Sequence, residues 1–113
     1  MNLTAKLQGD LLVVAAETNR IDSAGAIEFK EAMREMTRQA SARVVLDLSQ
    51  VRFLDSSGLG AVVAVLKLLA PAKRLELAAL TETVQKVFRL TRMDTIFTIH
   101  PSHEAAVANA SAA

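Results

Sequence analysis

The sequence predicts an α/β domain built on a mixed, mainly parallel five-stranded sheet with about four helices, in the order β-β-α-β-α-β-α-β-α. Three observations lead there. Short apolar runs of strand length alternate with segments in which apolar residues recur at helical spacing. The run Val44, Val45, Leu46, Leu48 is apolar on both faces at its start, as a strand covered on two sides must be. Gly9-Asp10 separates two N-terminal strands so closely that only an antiparallel hairpin can join them. Alternating strands and helices imply parallel pairing through right-handed crossovers, and the hairpin adds an antiparallel edge.

The elements follow in order. Leu3 to Leu7 and Leu11 to Ala16 are the hairpin strands, and Thr18-Asn19-Arg20 is a turn. Asp22 is placed to cap a helix in which Ala26, Phe29, Met33 and Met36 form one apolar stripe, a core face, opposite Glu28, Lys30, Glu31, Arg34, Glu35 and Arg38. Arg43 to Leu48 is the next strand. Ser57 to Ala70 is a helix that must end before Pro71, because a proline disfavours helical geometry in the residue ahead of it. In Lys73 to Ala79, Arg74 and Glu76 alternate with Leu75 and Leu77, a strand pattern. Thr81 caps a short helix carrying Val84, Val87 and Phe88. Thr95 to Ile99 is the last strand, and Pro101 suits the first turn of a terminal helix over residues 101–113, whose alanine-rich end is expected to fray.

Composition narrows the function. With 113 residues, 51% of them hydrophobic, the chain is expected to be one folded domain over residues 1–113. Thirteen basic residues against 12 acidic, with no basic run or interleaved aromatics, argue against nucleic acid. The absence of cysteine removes disulfides, thiolate catalysis and zinc-thiolate sites, and fits a reducing compartment. The first ten residues lack a signal-peptide layout, and the longest apolar run, Leu59 to Leu66, is far shorter than a membrane span. A soluble, cytoplasmic protein that binds no membrane is the expectation.

The segment Asp55-Ser56-Ser57-Gly58-Leu59-Gly60 is the most informative. It presents two hydroxyls at a helix start, where backbone N–H groups point outward and negative charge is favoured. One serine capping the helix and the other remaining exposed is compatible with that position. A nucleophilic serine needs a base and an oxyanion hole, and the elbow pattern G-x-S-x-G is absent. Gly58 and Gly60 begin a dinucleotide fingerprint, but Val63 stands where the third glycine belongs and no Walker pattern occurs; small residues permitting close backbone approach explain them better. His100 and His103 with Glu104 nearby make a poor metal site, and the two histidines are read as ordinary surface residues; neither metal nor cofactor is expected. Asp47 and Asp55 flank the serine loop, Asp47 at a strand end and Asp55 shaping the turn and setting its charge.

Behind the serines, Leu59 to Leu69 carries one charge, Lys67. With Leu59, Val62, Val63, Leu66 and Leu69 on the sheet, Ala61, Val65 and Leu68 point outward. Neighbouring helices can cover that surface; the favoured reading is a docking face for a partner protein. A modifiable hydroxyl beside an apolar face suggests a binding surface switched by phosphate, and no enzymatic activity.

These residues resemble a known family. Ile21-Asp22 followed by Ala26, Val44-Val45-Leu46-Asp47-Leu48, Phe53-Leu54-Asp55-Ser56-Ser57-Gly58-Leu59-Gly60, and the spacing of Val84, Val87, Phe88, Leu90, Met93 and Ile96-Phe97 are similar to the STAS domain, in its stand-alone anti-sigma factor antagonist form. The resemblance covers almost the whole chain. It implies that Ser56 is phosphorylated by a GHKL-type anti-sigma factor kinase and dephosphorylated by a PP2C-type phosphatase. It also implies that the unmodified protein binds the kinase and frees the sigma factor. Asp55, Ser57, Gly58 and Gly60 would then form the phosphosite loop, and Asp22, Leu59, Ala61, Val65 and Leu68 the partner-binding set. Relatives regulate targets other than sigma factors, such as a secretion or signalling protein. A constitutive module like the domain attached to anion transporters is a further alternative, disfavoured by the absence of a membrane segment. Asn19 and Arg92 depart from the family pattern, each standing where a glycine is frequent.

Overall fold

The computed structural model describes residues 2–38 and 41–110. Its elements are β1 (Leu3–Gln8), β2 (Leu11–Ala16), β3 (Arg20–Ile21), α1 (Ala26–Met36), β4 (Arg43–Asp47), β5 (Phe53–Leu54), α2 (Ser56–Leu69), β6 (Arg74–Ala78), α3 (Glu82–Leu90), a 3₁₀ turn (Met93–Thr95), β7 (Ile99–His100) and α4 (His103–Ala110). The five-stranded sheet runs β1-β2-β4-β6-β7. Only β1–β2 is antiparallel; β2–β4, β4–β6 and β6–β7 are parallel. The predicted architecture is the observed one. The hairpin turns at Gly9, whose φ of 64° is easy only for a residue without Cβ.

The main core lies on one face of the sheet, where Phe29 and Met33 of α1, Val62 and Val65 of α2, and Val84 and Phe88 of α3 meet Leu12, Val14, Val44, Leu46, Leu75 and Leu77. Burying Phe29 and Met33 completely contributes roughly 1.5–3 kcal/mol each. Phe97 closes this core edge-on against Phe88, their ring centroids 5.7 Å apart.

Helix α4 covers the opposite face, with Ala106 over Leu11, Val13, Val45 and Ala78. Here the alternation of β6 places Glu76, 1% exposed, among cations rather than in water. Arg43 grips it with two donors at 2.8 and 2.6 Å, Arg74 adds one at 2.9 Å, and His100 lies 2.6 Å away. Beside this cluster His103 of α4 meets Asp47 at 2.6 Å, and Asp47 also accepts from the Ser49 N–H at 2.8 Å. The two histidines are therefore structural partners of buried carboxylates, not free surface residues. Asp47 belongs to the α4 face rather than to the serine loop. Burial pushes Glu76 up, but the bonds from Arg43, His100 and Arg74 outweigh it and hold the carboxyl at about 2 instead of 4.5. Asp47 shows the same balance: burial raises it, while Ser49 and His103 bring it below its ordinary value.

Several boundaries differ from expectation. Asp22 does not cap α1: Gly25 occupies the N-cap, and Asp22 instead accepts from the Gly25 N–H at 3.3 Å, closing the turn before the helix. The segment expected as the strand Thr95 to Ile99 begins as the 3₁₀ turn, and pairing with β6 involves only Ile99 and His100. Pro101 precedes α4, whose first turn is capped by Ser102, its Oγ accepting from Ala105 N–H at 3.0 Å. The expected fraying of residues 111–113 lies outside the described residues. Thr81 caps α3 as expected and also donates to the Val51 carbonyl at 2.7 Å, tying that helix to the connection before β5.

Arg92 follows α3 in the left-handed region, φ 61°. Such a conformation costs a side-chain-bearing residue about 1 kcal/mol that glycine avoids. Arg92→Gly is expected to raise the unfolding free energy in urea by about 1 kcal/mol. The depressed Glu76 carboxyl contributes stability that is present above its unfolded value near 4.5 and lost as pH falls toward about 2. The urea midpoint should fall across that window in the wild type and follow a flatter course in Glu76→Gln.

Candidate functional site

The site begins with a second, two-stranded sheet in which β3 and β5 run parallel, Arg20 opposite Phe53 and Ile21 opposite Leu54. The Asn19 carbonyl accepts from both Arg52 and Phe53 N–H, at 2.8 and 3.1 Å, which starts the pairing. Ile21 and Leu54 face inward and are buried; Arg20 and Phe53 face outward. Each strand runs into the connection that leads to a helix, so the starts of α1 and α2 emerge side by side.

Asp55 governs that junction. Its extended backbone (φ −95°, ψ −175°) makes it the N-cap of α2, with Oδ1 accepting from Gly58 N–H at 2.8 Å. Its other oxygen, Oδ2, accepts from Ser23 N–H at 3.2 Å, across from the connection between β3 and α1. One carboxylate thus satisfies an orphan helix donor and fastens two chain segments. Because Asp55 performs the capping, neither serine needs to. Ser56 and Ser57 are the first two residues of α2, both exposed, and neither hydroxyl has a hydrogen-bond partner among the described residues. The expectation that a serine supports the helix start is corrected accordingly.

The two glycines differ. A Cβ on Gly58 would fall 1.9 Å from the Ile21 carbonyl oxygen, so this helix start approaches β3 more closely than any side chain allows. A Cβ on Gly60 would meet nothing within 4 Å, which corrects the reading of Gly60 as a close-packing residue.

The orientation of α2 also differs from expectation. Ala61 (3% exposed) and Val65 (1%) are buried and do not point outward. Helix α2 packs against both α1 and the sheet, so its hidden face is the wider stripe Gly58, Ala61, Val62, Val65, Leu69. Leu59, Val63 and Leu66 are half-buried against the same core, leaving Leu68 (46%) as the exposed large apolar side chain of this helix. The exposed apolar surface at the serine end comes from elsewhere: Phe53, 43% exposed, on β5, and Ile27, 71%, in the first turn of α1.

Asp22 is brought to this end of the molecule as expected. Its carboxylate accepts from Arg20 Nε at 2.7 Å, and that bond holds it below its ordinary value. The Arg20 guanidinium lies over the Phe53 ring, 4.8 Å from its centroid. Arg20, Ser23 and Phe53 are members of the site that sequence reasoning missed, because a two-residue strand is too short to show periodicity. Among the described residues no cluster of three or more His, Cys, Asp or Glu is placed to hold a metal ion, and no helix is long and apolar enough to cross a membrane.

Comparison with known proteins agrees with this architecture. The family model described as Mlab, STAS domain matches residues 4–99. BtrV of Bordetella bronchiseptica, whose name assigns it as an anti-sigma factor antagonist, is 31% identical over 100 residues, covering 88% of this chain and 86% of the relative. The crystal structure of a protein assigned as an anti-sigma factor antagonist from Thermotoga maritima is 26% identical, with a TM-score of 0.80 over 95% of this chain and 92% of that one. The anti-sigma factor antagonist SpoIIAA in its unphosphorylated form, 19% identical, superimposes with a TM-score of 0.76 over 99% and 98% of the two chains, a likeness of fold.

The two glycines should separate experimentally. Gly58→Ala forces a Cβ into the Ile21 backbone and is expected to cost about 3 kcal/mol or more in urea unfolding. Gly60→Ala places its methyl in open space within a helix and should stabilise by about 0.5–1 kcal/mol.

Proposed function

The chain belongs to the STAS domain family, and we propose that it is an anti-sigma factor antagonist acting by partner switching, without enzymatic activity of its own. In this reading the unmodified protein docks on a GHKL-type anti-sigma kinase in the cytoplasm and displaces the sigma factor. The kinase then transfers the γ-phosphoryl group of ATP to Ser56. The Ser56 oxygen bonds to the γ-phosphorus, the bond to the ADP oxygen breaks, and the hydroxyl proton passes to a base on the kinase. A PP2C-type phosphatase hydrolyses the ester and restores the binding form.

The observation that carries this reading is the free Ser56 hydroxyl, exposed at the first position of α2 while Asp55 does the capping. A phosphate there adds roughly 1.5–2 negative charges beside the Asp55 carboxylate. An unmodified serine enters a protein interface at small desolvation cost, whereas an unpaired phosphate does not. The docking surface comprises the exposed side chains of Phe53 and Ile27, the partly exposed Asp22 and the bare backbone of Gly60, with Leu59 at its margin and Leu68 further along α2. Ala61 and Val65 support it from beneath. The names of BtrV and of the Thermotoga maritima protein support the same assignment.

Incubation with the kinase encoded nearest to this gene, ATP and Mg²⁺, followed by intact-mass and fragment analysis, tests the reading. Ser56→Ala is expected to take up no phosphate and to remain on the kinase, and Ser56→Asp to bind on the order of a hundredfold more weakly, about 2.7 kcal/mol. Phosphate transfer that persists in Ser56→Ala and disappears in Ser57→Ala would move the acceptor to Ser57.

A further inference from the structure

We infer that Arg20 is the built-in counter-ion for a phosphate on Ser56, leaving Asp22 to receive it; this rests on the reading of Ser56 as the phosphoacceptor. The parallel register sets Arg20 opposite Phe53 and Ile21 opposite Leu54. The strand pairing ends there, and beyond it the bond from Ser23 N–H to Asp55 Oδ2 at 3.2 Å holds the connection after Asp22 against the residue that immediately precedes Ser56. Strand alternation puts Arg20 and Phe53 on the outer face, with Ile21 and Leu54 buried beneath.

The Arg20 side chain is already drawn along this outer face toward the serine end, its Nε on Asp22 Oδ2 at 2.7 Å and its guanidinium over Phe53. Only Nε is used. The two terminal nitrogens donate to nothing among the described residues, which leaves the fork that carboxylates and phosphates accept in pairs. Asp22 and Ser56 each adjoin one end of the Ser23–Asp55 bond, so the change of partner calls for a swing of the long Arg20 side chain and leaves the strand pairing in place. A phosphate offers more charge and three acceptor oxygens where Asp22 offers a single charge. Asp22, once released, keeps the Gly25 N–H and has water access, so it is not orphaned.

The other charged groups at this end are the carboxylates Asp22 and Asp55, Glu28 in the first turn of α1, and Arg52, which lies one register step further back beside Asn19. Without Arg20 to offset them, a phosphate on Ser56 faces a predominantly negative surface. Phosphorylation would thus transfer a cation from the β3–α1 connection to α2 and change both halves of the docking surface together.

The test uses the full chain with phosphoserine placed at position 56 during synthesis, so no kinase is needed. The ³¹P resonance is titrated in wild type, Arg20→Gln and Arg20→Lys. Its midpoint, near 6 for an isolated phosphoserine, is expected to be lower in wild type than in Arg20→Gln by about half a unit or more, with Arg20→Lys between. Identical midpoints in wild type and Arg20→Gln would overturn the inference. If Arg20→Gln does not fold, the wild type alone decides. The Arg20 Nε–H resonance should move with the same midpoint as the ³¹P signal, and an Nε–H signal that stays fixed through the titration overturns the inference. Kinase labelling at a residue other than Ser56 would refute the switch reading and leave this titration standing, so the two failures are distinguishable.

Discussion

The double acceptance of the Asp55 carboxylate is the interaction on which the rest of this site depends. With one oxygen on Gly58 N–H and the other on Ser23 N–H, a single side chain starts α2 and holds the β3–α1 connection against it. Each bond to a charged acceptor contributes about 1.5–3 kcal/mol. The consequence for chemistry is larger than that for stability. Serine and aspartate compete for the same capping role at a helix start, and here the aspartate one residue earlier has taken it. The Ser56 hydroxyl therefore bonds to nothing among the described residues and can be modified without removing a cap.

The close approach of α2 to β3 follows from the same geometry. Gly58 lies so near the Ile21 carbonyl that the helix start and the small sheet form one rigid corner. Arg20 and Phe53 are held on that corner by strand pairing, and Asp22 and Asp55 by hydrogen bonds to the residues around them. A docking surface built this way is largely pre-formed, which keeps the ordering cost of association low. Its apolar content is modest, Phe53 and Ile27 with Leu68 at a distance, and among its polar groups Arg20 and Asp22 are paired while the serine hydroxyls are not.

Much of the fold was legible because amphipathic segments declare their orientation. In α1 the stripe Ala26, Phe29, Met33, Met36 stands against a charged face, and the structure buries Phe29 and Met33 as the pattern requires. In α2 nearly every position from Leu59 to Leu69 is aliphatic or small, so periodicity gives no phase, and Ala61 and Val65 were assigned to the wrong side. The alternation in β6 correctly grouped Arg74 with Glu76 but could not reveal what covers that face; α4, with its near-featureless composition, does so and turns Glu76 into a buried ion-pair centre. At the site, the serine pair, Asp55 and Gly58 stood out by residue type and spacing. Arg20, Ser23 and Phe53 did not, because they are assembled by a two-residue strand pairing between segments more than thirty positions apart in sequence.

The two faces of the main sheet carry different loads, and this bears on how a switch can operate. The α4 face is fastened by buried carboxylates, Glu76 and Asp47, each held in its charged form by cations, histidine or backbone donors. Removing one member of such a cluster leaves an uncompensated buried charge and costs several kcal/mol, so that face resists local rearrangement. At the serine end, Asp55 apart, the Arg20–Asp22 pair is open to solvent, which screens it and leaves it weak. An added phosphate can redistribute this outer pair at little cost, while the buried clusters and the shared apolar core keep the sheet unchanged. Under the proposed function, modification alters the charge and shape of one corner of a molecule that is otherwise the same in both states. A partner that tells the two forms apart must therefore read that corner directly, with Ser56 inside its contact area rather than at a remote position.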